Sequence, residues 1–327
     1  MKKPTWKDAL RNVPPFPILL ASLIVASSSV QAHEVLVIVG APGEESYTEG
    51  FQEAADSWLT SCLRAEIPIE LIETTNEGRT PKEQIQTWLG NLAPDSSDPA
   101  WVVYIGHGTY SRREAFLNLP GPDLAAQELA EWISPLTRPF VFIHGGSASA
   151  PFVSKLSGQN RILVTATQSG EELNYARFGE HLSKVITGER GDVNQDGQVS
   201  ILEAFVSASE NVLAYYTEAG RIATEAAMID DNGDQRGTPA DWFKGTRLVK
   251  QSSDGSIPDG FRSNQIALIE SPQERALTTD QKVRRDALER DLERLRSQKE
   301  SLSEEDYFHK LEQLLNSISE IYLQDDY

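Results

Sequence analysis

The chain has 327 residues and carries 49 acidic against 30 basic side chains, a net charge of −19 at pH 7. Such a surface repels nucleic-acid phosphates and anionic lipid and suits divalent cations, so the expected partners are calcium and a peptide or protein, not nucleic acid. The only cysteine, Cys62, excludes an internal disulfide and a thiolate zinc site.

Residues 1–32 combine Lys2, Lys3, Lys7 and Arg11 with the apolar run Phe16 to Ala26 and end in the small-residue pattern Val30-Gln31-Ala32. The run falls short of the ~20 apolar residues that span a bilayer. It reads as a signal peptide cleaved between Ala32 and His33, leaving an exported chain, periplasmic or extracellular, with no transmembrane segment. An uncleaved membrane anchor is the alternative.

From His33 onward, short β-branched runs alternate with amphipathic stretches, as in parallel sheets with crossover helices. Val35–Val39 is the first expected strand, and Gly40-Ala41-Pro42-Gly43 turns the chain into a helix over 46–64. A second strand at 69–73 leads to a helix opened by Thr80-Pro81 with Ile85, Trp88, Leu89 and Leu92 at helical spacing. The third strand, 101–105, ends at Gly106-His107-Gly108, and the fourth, 139–143, at His144-Gly145-Gly146-Ser147. A fifth, 161–166, precedes a helix over 173–186. In open parallel sheets ligands sit beyond the carboxyl ends of the strands, and the polar residues gather after strands three and four.

Past residue 250 the alternation stops. Residues 251–275 read as a polar linker and 276–327 as a helical hairpin. Thr278 to Gln281 forms a capping box, and Leu288, Leu292, Leu295 and Leu302 make one apolar stripe. Ser303 caps the second helix, whose stripe is Phe308, Leu311, Leu315, Ile318 and Tyr322; spacings of three and four suit coiled-coil packing.

The sharpest motif runs from Asp192 to Glu203. Side-chain oxygens fall at positions 1, 3, 5 and 9 (Asp192, Asn194, Asp196, Ser200), glycine at 6 and glutamate at 12 (Glu203), with Gln198 offering its main-chain carbonyl at 7. This is the EF-hand spacing: a hard cation takes six to eight oxygens, and the glycine permits the sharp turn. Ca2+ is therefore the expected ligand. A second cluster places Asp230, Asn232, Asp234 and Asp241 at positions 1, 3, 5 and 12, but Gln235 holds the glycine position; an irregular second calcium site and a solvated turn both remain open.

His107 and the segment from His144 to Ala150 form the third constellation. A strand ending in Gly-His-Gly, a later strand running into a short polar turn, and the strand end Thr165-Ala166-Thr167 resemble the caspase and legumain clan of cysteine peptidases. The segments Asn118 to Asp123, Ser169 to Glu172 and Asp230 to Asp234 also look like those of exported bacterial relatives of legumain. The resemblance covers residues 33–250. It implies a caspase-like three-layer α/β fold with a mostly parallel sheet, to which the calcium loop and the carboxyl-terminal helical hairpin are added. It matches His107 to the family histidine, Gly108 to the oxyanion amide and Ser147 to the position commonly held by cysteine. Ala150 stands where the family has glycine. A serine hydroxyl gives up its proton less readily than a thiol, so a proteolytically inactive binding or scaffold protein is expected. The alternative is a serine-type hydrolase using Ser147 and His107.

Two other readings are weaker. Gly145-Gly146-Ser147-Ala148-Ser149 approaches the α/β-hydrolase nucleophile elbow, but only His181 and His309 follow it, both on helical patterns. His107 and His144 close neighbouring strands and could share a transition metal, with no third ligand identifiable.

Overall fold

Alternation along β1 (Glu34–Val39) organises the molecule. Val35, Val37 and Val39 pack with Phe51, Trp58, Leu182 and Phe205 on one side, while Leu36 and Ile38 pack with Ile85, Leu89, Leu129 and Phe152 on the other. Successive side chains of a strand point to opposite faces, so an unbroken apolar run requires cover on both. Each fully buried large side chain contributes about 1.5–3 kcal/mol.

In this computed structural model the described residues are 33–188, 191–250, 252 and 258–323. The expected signal peptide, its cleavage point and most of the loop at 251–257 lie outside them. The five expected strands are present as β1, β2 (Ile69–Ile72), β3 (Ala100–Ile105), β7 (Phe140–His144) and β8 (Arg161–Thr165), all parallel, in the order β2-β1-β3-β7-β8. Between β3 and β7 lies a small antiparallel sheet, β4 (Gly108–Ser111), β5 (Glu114–Leu117) and β6 (Leu124–Ala125), which the periodicity did not suggest. The main sheet is extended antiparallel by β9 (Met228–Asp230) and β10 (Thr238–Pro239); β11 (Phe243–Lys244) and β12 (Arg247–Leu248) form a separate ribbon.

One face carries α1 (Glu45–Arg64), α5 (Phe178–Ile186) and α6 (Ile201–Glu218). The other carries α2 (Pro81–Asn91), α3 (Ala126–Ile133) and α4 (Pro151–Leu156). The result is the expected three-layer α/β arrangement with a mostly parallel sheet. Thr80 caps α2 through a complete capping box with Glu83, as its sequence position suggests. The helix expected over 173–186 begins only at Phe178. The buried Glu225 carboxylate accepts the Arg177 and Phe178 amides at 3.0 Å each, satisfying the free N–H groups of the helix start, while 169–177 stays irregular.

After the short α7 (Pro272–Ala276), α8 (Thr279–Ser297) and α9 (Glu304–Leu323) form the expected hairpin, and Thr278 and Ser303 cap them as expected. Segment 258–276 does not behave as a free linker. Leu268 is fully buried in the core, Ser200 bridges to Ala267, and Lys282 pairs with Glu270 at 2.9 Å. Arg285, nearly buried, pairs with Glu274 and with Asp286, and Gln265 bonds Glu289, so the hairpin is seated on that segment by charge. No described helix is long and apolar enough to cross a membrane.

Candidate functional site

Register places Tyr104 of β3 beside His144 of β7, so the two polar strand ends lie side by side at the carboxyl edge of the sheet, as expected. The contact there is backbone on backbone. A Cβ on Gly146 would lie 1.7 Å from the Gly106 carbonyl oxygen, and one on Gly108 would lie 2.3 Å from that of Ser147. No side chain fits at either position without parting the strand ends.

His107 is half-buried against the rings of Tyr47, Phe51 and Tyr175, at centroid distances of 4.9, 5.4 and 5.7 Å. Its Nε2 is 3.2 Å from the Pro42 carbonyl, which can only accept, so the proton sits on Nε2. Burial lowers its pKa, opposed by that hydrogen bond and by Glu44. Ser147 is buried. Its hydroxyl accepts the Gly108 N–H and donates to the Gly108 carbonyl, both at 3.3 Å. The structure thus brings Ser147 to Gly108 and forms no Ser147–His107 hydrogen bond. The Gly108 amide, matched to the oxyanion donor, already holds the Ser147 oxygen.

The turn after β7 is locked from outside the two strands. Thr167 Oγ1 accepts the amides of Ser149 and Ala150, and the Ala148 amide, on a residue with φ of 51°, donates to the Glu172 carbonyl. Glu172 in turn accepts the Ala226 amide. Sequence reading missed Tyr47, Phe51 and Tyr175, and it named Thr167 and Glu172 only within the segments that carry the resemblance, without a role. Tyr47 and Phe51 sit four apart on α1, a visible spacing, but only folding reveals which ring they face.

His144 is completely buried among Tyr104, Phe142 and Phe152. Its Nδ1 accepts the Gly146 amide at 3.2 Å, which leaves the proton on a partnerless Nε2, and burial lowers its pKa to about 3. With His107 Nε2 committed to Pro42, the two imidazoles offer no shared metal site. Neither His181 on α5 nor His309 on α9 bonds Ser147, so the hydrolase-elbow triad does not assemble.

The Asp192 loop lies between α5 and α6, flanked by helices as expected. Gly197, at the sixth position, has φ of 87°, the left-handed conformation that glycine adopts without strain. Asp192 accepts the amides of Asp196 and Gly197 at 3.1 and 3.0 Å, Asn194 that of Asp196, and Asp196 that of Gln198. Gln198 turns its side chain outward to the Ser271 amide. Glu203 is fully buried. One carboxylate oxygen accepts the Val193 and Asn194 amides, and the other the amide and hydroxyl of Ser200, the capping residue of α6. Among the described residues no three His, Cys, Asp or Glu side chains are grouped to hold a metal ion. Any cation here would draw on the oxygens of Asn194, Ser200 and the Gln198 main chain beside the carboxylates. That all-oxygen donor set fits a hard cation in its chemistry.

The second acidic cluster is arranged differently from its spacing. Asp241 is exposed and pairs with Lys250 at 2.5 Å. Asn232 and Asp234 accept the amides of Asp234 and Arg236 in local turns. Asp230 is buried and accepts the Gly233 amide at 3.1 Å within the cluster, and Asp231 and Asp259 are buried as well. Asp259 accepts the amides of Asp231 and Asn232 and the Thr238 hydroxyl, and Asp231 accepts those of Gly260 and Ser263. Burial first, then the charge of Asp231, pushes the Asp259 pKa up to about 7. A carboxyl whose folded pKa exceeds its unfolded value stabilises the fold below the unfolded pKa and loses that contribution as pH rises through the folded one. Stability is therefore expected to fall between about pH 4 and pH 7 from this group. Chemical denaturation across that range should show a flatter profile in Asp259→Asn, and an unchanged slope would assign the effect elsewhere.

No protein-family description matches the chain, and no curated protein matches it. Among solved structures it is similar to the Drosophila initiator caspase Dronc, at 12% identity and a TM-score of 0.41, over 62% of this chain and 81% of that one. It is also similar to caspase-1 from Spodoptera frugiperda, at 9% identity and a TM-score of 0.40, over 63% and 90% of the two chains.

Proposed function

We propose that the chain is an exported, calcium-binding protein with a caspase- or legumain-like α/β frame whose peptidase site is inactive, and that it serves as a binding or scaffold protein. The closed strand ends carry this reading. A nucleophile needs an adjacent base to take its proton and free amides to hold the oxyanion. Here Ser147 is buried and spends its hydroxyl on the Gly108 peptide, while His107 faces Pro42 and three aromatic rings. The residue before Ser147, Gly146, has no room for a side chain. Cys62 offers no substitute, because it is buried on α1 and its thiol is pushed up to about 12.

Calcium supplies structural bracing in this reading, held by Asp192, Asn194, Asp196, Ser200 and Glu203 with the Gln198 carbonyl. The acidic surface and the oxygen-only donor set support it, and export rests on the pattern of residues 1–32.

Wild type, Ser147→Ala and His107→Ala are to be compared against fluorogenic peptides and esters and for labelling by a serine-directed fluorophosphonate. The expected result is no turnover or labelling that either substitution changes, and no effect of thiol reagents. Robust hydrolysis by wild type that vanishes in Ser147→Ala would make the protein a serine hydrolase instead.

A further inference from the structure

The Asp230 cluster repeats the hydrogen bonding of the Asp192 loop, with its closing carboxylate brought from further along the chain. In the Asp192 loop Glu203, at position 12, accepts the amides of positions 2 and 3, Val193 and Asn194, at 3.0 Å each. Its other oxygen accepts the Ser200 hydroxyl of position 9 at 2.9 Å, and its own amide donates to that hydroxyl at 3.2 Å. Counted from Asp230, Asp259 makes the same four bonds. Its Oδ1 accepts the amides of positions 2 and 3, Asp231 and Asn232, at 2.8 and 3.1 Å. Its Oδ2 accepts the Thr238 hydroxyl of position 9 at 2.7 Å, and its amide donates to that hydroxyl at 3.2 Å. Asp259 therefore stands in the structure where the spacing placed Asp241.

The two backbones agree as well. Position 4 is left-handed in both loops, at Gln195 (φ of 63°) and Gly233 (φ of 80°), and so is position 6, at Gly197 (φ of 87°) and Gln235 (φ of 68°). Gln235 thus makes the turn that a glycine makes in the Asp192 loop, at the cost a side chain carries in that conformation. What points to a ligand is Asp230, at position 1. It is 1% exposed, one carboxylate oxygen is held inside the loop by the Gly233 amide, and the other, Oδ2, is buried without a hydrogen-bond partner. Burial raises its pKa against the pull of the Ser157 hydroxyl and the Gly233 amide. A buried carboxylate oxygen left unmatched costs free energy, and a cation removes that cost. Among the described residues no three acidic side chains are already grouped, here as in the Asp192 loop, so neutral oxygens must complete the cage.

We infer that the Asp230 loop is a second calcium site, formed by Asp230, Asn232, Asp234, the Arg236 main-chain carbonyl, Thr238 and, in place of Asp241, Asp259. The inference rests on the calcium reading of the Asp192 loop, whose hydrogen-bond pattern is its template. Asp259 is one methylene shorter than Glu203, so this is the weaker site and supplies the smaller part of any calcium stabilisation. An ion there joins β9 and β10, which carry Asp230 and Thr238, to the segment that seats the carboxyl-terminal hairpin.

Titration calorimetry with calcium counts the ions bound per chain, and wild type is expected to bind two. Asp234→Asn, at an exposed position, keeps an oxygen for the Arg236 amide. Asp259→Asn keeps one for the Asp231 and Asn232 amides and turns its NH2 to the Thr238 oxygen, so both variants are expected to fold. Each is expected to weaken the second ion about tenfold or more and to leave the first, while Asp241→Asn leaves both. A single ion in wild type that Asp196→Asn removes overturns the inference and leaves the Asp192 site standing. A single ion that Asp234→Asn and Asp259→Asn remove upholds the inference and overturns the Asp192 site. Two ions untouched by Asp259→Asn, or a second ion lost in Asp241→Asn, overturn Asp259 as the closing ligand, and no calcium binding at all overturns both sites.

Discussion

Gly146→Ala is expected to destabilise the protein by ~3 kcal/mol or more, among the largest effects of any single methyl group in this chain. The added carbon would sit 1.7 Å from the Gly106 carbonyl oxygen, roughly half the distance at which carbon and oxygen rest against each other. Neither partner is the end of a flexible side chain. Relief requires β3 and β7 to part at their carboxyl ends, and the Gly145 amide is tied there to the Tyr104 carbonyl at 3.0 Å. Gly90→Ala on α2 is the control, since nothing lies within 4 Å of its added carbon and alanine favours a helix. Urea denaturation of both variants decides the matter. An unchanged midpoint for Gly146→Ala would mean that the strand ends are not packed backbone to backbone, and the inactive-site reading would lose its main support.

Calcium is expected to raise the thermal midpoint, with about 2.7 kcal/mol of added stability at a hundredfold excess over the dissociation constant. Two variants separate binding from bracing. In Glu203→Gln an amide NH2 must face either the Val193 and Asn194 amides or the Ser200 amide and hydroxyl, placing donor against donor in a buried site. The variant is therefore expected to melt lower even in chelator, by about 1–3 kcal/mol, and to respond little to calcium. Asp196→Asn keeps an oxygen for the Gln198 amide, and the bond it loses, from the Asn194 side-chain amide, is exposed to water, so its midpoint in chelator should stay within ~0.5 kcal/mol of wild type while the calcium increment shrinks. Calorimetry in chelator and in millimolar calcium reads all five quantities. Identical wild-type melting in the two conditions would remove calcium from the proposed function.

The five parallel strands and most helices were legible because their signals are local. An apolar run such as Val35 to Val39 or a Thr80-Pro81 helix start draws its meaning from neighbours within a few residues, and these elements sit within a residue or two of where the sequence places them. The helix before Ile186 began late because its start is set by Glu225, some forty-seven positions downstream, which no local window contains. Short strands such as β9 and β10 carry too few residues to show a period, and they exist because β8 offers an open edge to pair with.

Side-chain chemistry divides along the same line. The sequence by itself determined the five parallel strands, the acidic surface, the residue types of the Asp192 loop and the polar character of two strand ends, since each follows from composition or from near-neighbour spacing. Only the tertiary structure decided that the Ser147 hydroxyl faces the Gly108 peptide instead of His107, that Asp230, Asp231 and Asp259 are buried while Asp241 goes to Lys250, and that α9 buries Tyr307 and Ile321 and leaves Phe308 and Leu315 open. Each of these turns on a rotation of one residue or on a partner far along the chain, and hydrogen-bond direction and helix face depend on what packs alongside, which a one-dimensional pattern does not contain.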